Sequence, residues 1–123
     1  ISSGQCAHRG SFDALLGDDK DDPAMLERLS LEKQVADVTP PTFIWHTVPD
    51  DCVPVRNTLL FVDALMEHGV PVEVHLFPSG GHGLSLGTTE TAWQGVNGIE
   101  ECVQVWPELF RRWMLRTFDS CVR

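Results

Sequence analysis

The feature that most constrains this chain is a pair of short apolar runs joined by a single helical stretch. Thr42-Phe43-Ile44-Trp45-His46-Thr47 is unbroken and rich in β-branched and aromatic residues, the composition of a strand buried on both faces. Pro71 to Phe77 (PVEVHLF) alternates instead. Val72, Val74 and Leu76 fall on one side, Glu73 and His75 on the other, which predicts a strand near a sheet edge with one less-covered face. Between them, Val55 to His68 sets Leu59, Leu60, Val62, Leu65 and Met66 at helical spacing, and Gly69 follows at the C′ position. Two strands linked by a helix of about four turns close as a right-handed βαβ unit, so the strands are expected to be parallel.

The flanks extend this unit. Residues 1–21 are polar and glycine-bearing, with a small apolar patch at Phe12, Leu15 and Leu16, and read as loop with one helical turn. Asp22-Pro23 supplies an N-cap and a proline at the first helical position, opening a helix through Met25, Leu26 and Leu29. Ser30 is expected to cap a second short helix carrying Leu31 and Val35. Thr39-Pro40-Pro41 breaks the chain before the first strand. After the second strand come a glycine-rich loop, Pro78 to Gly83, and a stretch without clear periodicity over 84–101. A helix from about Val103 to Phe118 is expected to turn Val105, Leu109, Phe110, Trp113 and Met114 inward, with Pro107 in its first turn. The chain is therefore α/β, with a helical segment over 1–41 and a strand–helix–strand–helix segment over 42–123.

Charge and cysteines bound the partners. A formal net charge of -9 argues against a basic face for nucleic acid or an anionic membrane. Asp18, Asp19, Asp21 and Asp22 read as a solvated loop and helix start. No apolar run approaches the roughly 18 residues of a membrane span. Cys6, Cys52, Cys102 and Cys121 are scattered and read as free thiols of a reducing, cytoplasmic compartment. The chain opens Ile1-Ser2-Ser3-Gly4 without a methionine, as a piece of a longer protein would.

In open parallel sheets, functional loops leave the carboxyl ends of strands. The loop after Thr47 holds Asp50 and Asp51; the loop after Phe77 holds His82 between Gly81 and Gly83. Taken alone, a histidine among glycines is a turn residue, and an Asp-Asp pair before a helix is a cap. Adjacent parallel strands would bring the two loops together. A carboxylate could then fix the tautomer of His82 and leave its other nitrogen as a general base.

These residues resemble a known family. Asp50-x-x-Val53-Pro54 resembles the acid loop of the α/β-hydrolase superfamily, and Gly81-His82-Gly83 its histidine loop. The runs PPTFIWHT, VPVRNTLLFVDALMEHGVPVEVHLFPSGGHGLSL and AHRGSF…LLG are similar to the acetyl-esterase and acetylxylan-esterase branch. The resemblance implies the C-terminal part of an α/β-hydrolase fold with an incomplete sheet, residues 1–41 being lid-like. It implies a serine esterase acting on small acyl esters, acetyl groups on carbohydrates among them. Asp50 matches the acid and His82 the base, with Asp51 the competitor for the acid; Pro49 departs from the small or acidic residue expected there. The nucleophile and oxyanion hole would lie upstream, so the chain alone is expected to be inactive. It would pair with the rest of the hydrolase or with a swapped copy of itself, since a two-stranded sheet has open edges. Two alternatives stand beside this reading: a prolyl-peptidase-type serine hydrolase, and a non-catalytic hydrolase-like module used for association.

Gly83-Leu84-Ser85-Leu86-Gly87 also matches the nucleophile pattern G-x-S-x-G. That pattern needs a strand, a sharp turn and a helix, in the order serine, acid, histidine. Ser85 follows both partners and shares a loop with His82, so the match reads as accidental. Ser2, Ser3 and Ser79 have no elbow context either. His75 and His82 have no third partner at ligand spacing, so no metal or other cofactor is expected. His46 reads as a hydrogen-bonded core residue. His8-Arg9 resembles a segment near the lid, with a substrate contact and a structural role both open. Of the four tryptophans, Trp45, Trp106 and Trp113 read as packing, and Trp93 as the one placed to meet a sugar ring.

Overall fold

A computed structural model of the chain describes residues 6–93 and 97–119. Its elements in order are α1 (Arg9–Leu16), α2 (Pro23–Leu29), β1 (Thr42–Thr47), α3 (Arg56–Glu67), β2 (Val72–Phe77) and α4 (Trp106–Phe118). Single 3₁₀ turns lie at Gly17–Asp19, Leu31–Lys33 and Glu101–Val103. β1 and β2 pair in parallel, in register from Thr42 against Val72 to Thr47 against Phe77. The ladder continues past β1 through Val48 N–H, which donates to the Phe77 carbonyl at 2.8 Å. Both carboxyl ends therefore stop at one level, which sets the two reactive loops side by side.

α3 is the crossover the apolar period predicts. Gly69 ends it with φ of 66°, a left-handed angle that costs little without a Cβ. The Val70 N–H then closes on the Leu65 carbonyl at 2.9 Å. Leu65 is wholly buried and forms one core with Val35 and Val70, flanked by Phe61, Ala64 and Val72. α4 builds a second core on the opposite side of the sheet. Phe77, Leu84 and Val103 are its buried centre, with Trp45, Trp106 and Leu109 around them. Trp45 stacks on Trp106 at 5.6 Å and 22°, and Phe43 meets Phe110 edge-on at 5.4 Å. Such ring pairs add about 0.5–1.5 kcal/mol to the burial itself.

Several expectations change. Residues 9–16 form a helix of eight residues rather than one turn, with Phe12 buried beneath it. Ser30 does not cap the next turn; its hydroxyl donates back to the Leu26 carbonyl at 2.8 Å, closing the end of α2. α4 starts at Trp106 rather than Val103, because a 3₁₀ turn precedes it and Pro107 is accommodated at its second residue. Only part of the expected apolar stripe is covered: Phe110 and Met114, and Val105 just ahead of the helix, remain exposed. β1 is half-buried from Thr42 to His46 rather than covered on both faces. β2 does have one less-covered face, but it is the apolar one. Val74 and Leu76 are exposed, while His75 lies against Phe43 and Glu73 pairs with Arg116 of α4. Ser2, Ser3 and Cys121 lie outside the described residues.

Candidate active site

The turn after β1 shapes the acid. Asp50 Oδ1 accepts the backbone N–H of Val53 at 2.8 Å and of Cys52 at 3.0 Å. This folds the loop around the carboxylate and leaves its side chain 6% exposed. The second oxygen, Oδ2, accepts from His82 Nδ1 at 2.9 Å. That bond assigns the His82 proton to Nδ1, because a carboxylate only accepts. Nε2 then has no hydrogen-bond partner among the described residues, and His82 borders an open cavity of about 240 Å³. Burial pushes the Asp50 carboxyl up, but the Val53 N–H, His82 and the Cys52 N–H together outweigh it and hold the group below its ordinary value. An ionised acid hydrogen-bonded to an imidazole that is half exposed is the arrangement of a general base and its orienting partner.

The second loop is held by its neighbours. Thr47, buried at the end of β1, donates its hydroxyl to the Gly81 carbonyl at 3.2 Å. Gly80 adopts φ of 106°, and a Cβ there would lie 2.6 Å from Leu84 Cδ1. Glycine is thus required by both backbone and space, and His82 is delivered to Asp50 by a tight loop.

Of the two aspartates, Asp50 meets His82, while Asp51 is exposed. Pro49 sits exposed in the turn closed by Asp50 N–H to the Thr47 carbonyl at 3.3 Å. Ser85 borders the cavity and has φ of 54°, but no helix follows it. Its carbonyl accepts from Trp106 Nε1 at 2.8 Å, and its hydroxyl makes no hydrogen bond to His82 among the described residues. Ser79 is tied to Glu100 at 2.9 Å, away from the site. Among the described residues there is no cluster fit for a metal ion; His75 is paired with Glu73 at 2.9 Å under α4. Trp93 is exposed, bridges to Asn97 and does not line the cavity.

His8 is drawn to the site, and Arg9 is not. The His8 ring stacks near His82 with centroids 6.5 Å apart, Nδ1 meets the Ser11 hydroxyl at 2.8 Å, and Nε2 lies 3.3 Å from Cys52 Sγ. Arg9 pairs with Asp21 and Asp13 in solvent. His46 is the hydrogen-bonded residue expected, but its place beside Asp50 was not legible. Nε2 lies 3.3 Å from Asp50 Oδ2. The available signal was its spacing, one residue before the end of β1 on the face toward α3. No helix among the described residues is long and apolar enough to cross a membrane.

Comparisons with known proteins place the chain in a family. Residues 13–95 match the sequence profile of the prolyl oligopeptidase family. Over 97 residues the chain is 44% identical to endo-1,4-beta-xylanase B of Butyrivibrio fibrisolvens, covering 77% of this chain and 15% of that protein. Its fold is similar to the acetyl ester-xyloside bifunctional hydrolase of Caldicellulosiruptor lactoaceticus, with a TM-score of 0.77 and 45% identity over 93% of this chain and 38% of that one. An alpha/beta hydrolase enzyme from a Medee basin deep-sea metagenome library matches with a TM-score of 0.67 and 44% identity, over 69% of this chain and 35% of that one. The chain thus spans well under half the length of these relatives, and its sheet is part of an α/β-hydrolase sheet.

Proposed function

The chain belongs to the prolyl oligopeptidase family of the α/β-hydrolase superfamily, and from that premise we propose that it supplies the acid and base of a serine carboxylic-ester hydrolase. The observation that carries this is the 2.9 Å bond from His82 Nδ1 to Asp50 Oδ2, with His82 bordering the cavity. A serine from outside these residues attacks the ester carbonyl, and His82 Nε2 takes its proton. The same nitrogen returns the proton to the departing alcohol, and a water repeats the sequence on the acyl-enzyme. Asp50 holds the ring and stabilises the imidazolium. Small acyl esters are the proposed substrates, acetyl groups on carbohydrates first, because the similar hydrolase is described as acting on acetyl esters and xylosides. The proposed partner is the rest of the hydrolase or a swapped copy, since Val74 and Leu76 leave an apolar sheet face exposed. Free thiols at Cys6, Cys52 and Cys102 favour a reducing, cytoplasmic setting.

The test is hydrolysis of a chromogenic acetate ester. The chain alone is expected to be silent, and the chain completed by the rest of the hydrolase active, with Asp50→Asn and His82→Ala each abolishing most turnover. Activity of the chain alone that is lost in Ser85→Ala would overturn the assignment of the nucleophile. The family match also favours a second reading, a prolyl-peptidase-type hydrolase with the same acid and base. Cleavage of proline-containing peptides in preference to acetylated sugars would select it.

A further inference from the structure

Behind Asp50 lies a second imidazole that the proposed chemistry does not use. The His46 side chain is 13% exposed. Its Nε2 is 2.9 Å from the Val53 carbonyl oxygen, which only accepts, so Nε2 carries the proton. Nδ1 is then the acceptor, and the buried Thr58 hydroxyl donates to it at 2.7 Å. The ring is held in one tautomer from both sides.

The same Nε2 lies 3.3 Å from Asp50 Oδ2, the oxygen that His82 Nδ1 meets at 2.9 Å, while its N–H is directed at the Val53 carbonyl. Oδ1 is occupied by the Val53 and Cys52 N–H groups. Oδ2 thus has two neighbours and Oδ1 two donors, and rotating the carboxylate would break the bonds from Val53, Cys52 and His82. Val53 serves twice, its N–H on Asp50 and its carbonyl on His46. The end of β1, the acid loop and the first turn of α3 are linked in one chain of bonds through His46, Val53 and Thr58.

We propose that His46 is a positioning residue for the acid–base pair: its Nε2–H, braced by Thr58, holds the Val53 carbonyl, and through Val53 the loop that presents Asp50 to His82 Nδ1. The proposal rests on reading Asp50 and His82 as the acid and base of a hydrolase. A residue that only filled space would be replaced by any side chain of similar volume. A positioning residue must keep the donor at Nε2. His46→Gln sets an amide N–H near that position; His46→Leu keeps bulk and removes the donor.

The experiment is long-range proton–nitrogen NMR of the histidine-labelled chain, which reports the tautomer of His82. The native chain is expected to show His82 as the single Nδ1–H form, retained in His46→Gln. In His46→Leu that signature is expected to be lost to a mixture of tautomers. If His46→Leu does not fold, Thr58→Val, which removes the brace, is read in the same way against Thr58→Ser. An unchanged Nδ1–H signature in the folded variant lacking donor or brace overturns the proposal. The readout needs no turnover. A completed hydrolase that cleaves no ester therefore overturns the functional reading without touching this one.

Discussion

Thr47 and Gly81, 34 positions apart in the chain, are joined by a hydrogen bond of 3.2 Å from the threonine hydroxyl to the glycine carbonyl. Thr47 closes β1 and Gly81 immediately precedes His82, so this bond ties the strand that leads to Asp50 to the loop of His82. Thr47→Val keeps the shape and removes the donor. The expected loss is about 1 kcal/mol, the usual net value of such a bond plus the unpaired carbonyl. Urea denaturation should show a lower midpoint with an unchanged slope.

Gly80 is constrained twice over, by φ of 106° and by Leu84 Cδ1 at 2.6 Å from a built Cβ. Gly80→Ala should cost more than the Thr47 change, about 1–3 kcal/mol for the backbone alone. It should also widen the His82 loop. Gly81→Ala is the control: a Cβ there meets nothing within 4 Å, and its unfolding midpoint should stay near that of the native chain.

The periodic elements were legible in the sequence, and the reasons are local. Five apolar residues at helical spacing followed by Gly69 define α3, and a helical link between two strands forces them parallel. The meeting of Asp50 and His82 was legible because both loops leave the same sheet end. What failed depends on tertiary context. Glu73 and His75 read as the open face of β2, yet Arg116 and Phe43 cover them, and no window of sequence around β2 contains those partners. Ser30 followed the same logic: its hydroxyl had two backbone groups within reach, and the end of α2 took it. His46 showed its burial through its strand but not its neighbour, because the turn that returns Asp50 to it is closed by the Cys52 and Val53 N–H groups donating to the Asp50 carboxylate.

The α3 core offers a contrast within one helix. Leu65 is wholly buried, while Leu59 is 43% exposed on the outer face. Leu65→Ala should destabilise by about 2–5 kcal/mol, from lost transfer free energy and the residual cavity. Leu59→Ala should lie within about 0.5 kcal/mol of the native chain. Thermal unfolding followed by circular dichroism would rank the two, and equal losses would mean that α3 does not face the sheet as described.

Asp50 makes the acid limb of stability specific. Its folded carboxyl lies below the ordinary 3.8, held down by the Val53 and Cys52 N–H groups and His82 against the opposing effect of burial. The unfolded chain then binds the proton more readily than the folded one, so stability falls as pH falls. The sign follows: this contribution is fully present above the unfolded value and is lost as pH drops through the lower folded one. Asp50→Asn cannot ionise and should lack that part of the acid loss, while starting from a lower stability at neutral pH because His82 loses its charged partner. Urea midpoints measured from pH 6 to pH 2.5 should therefore converge, the native chain falling more steeply below about pH 4. Parallel curves would mean that the Asp50 carboxylate is no better held in the folded chain than in the unfolded one, and the hydrogen bonds that aim it at His82 would lose their energetic support.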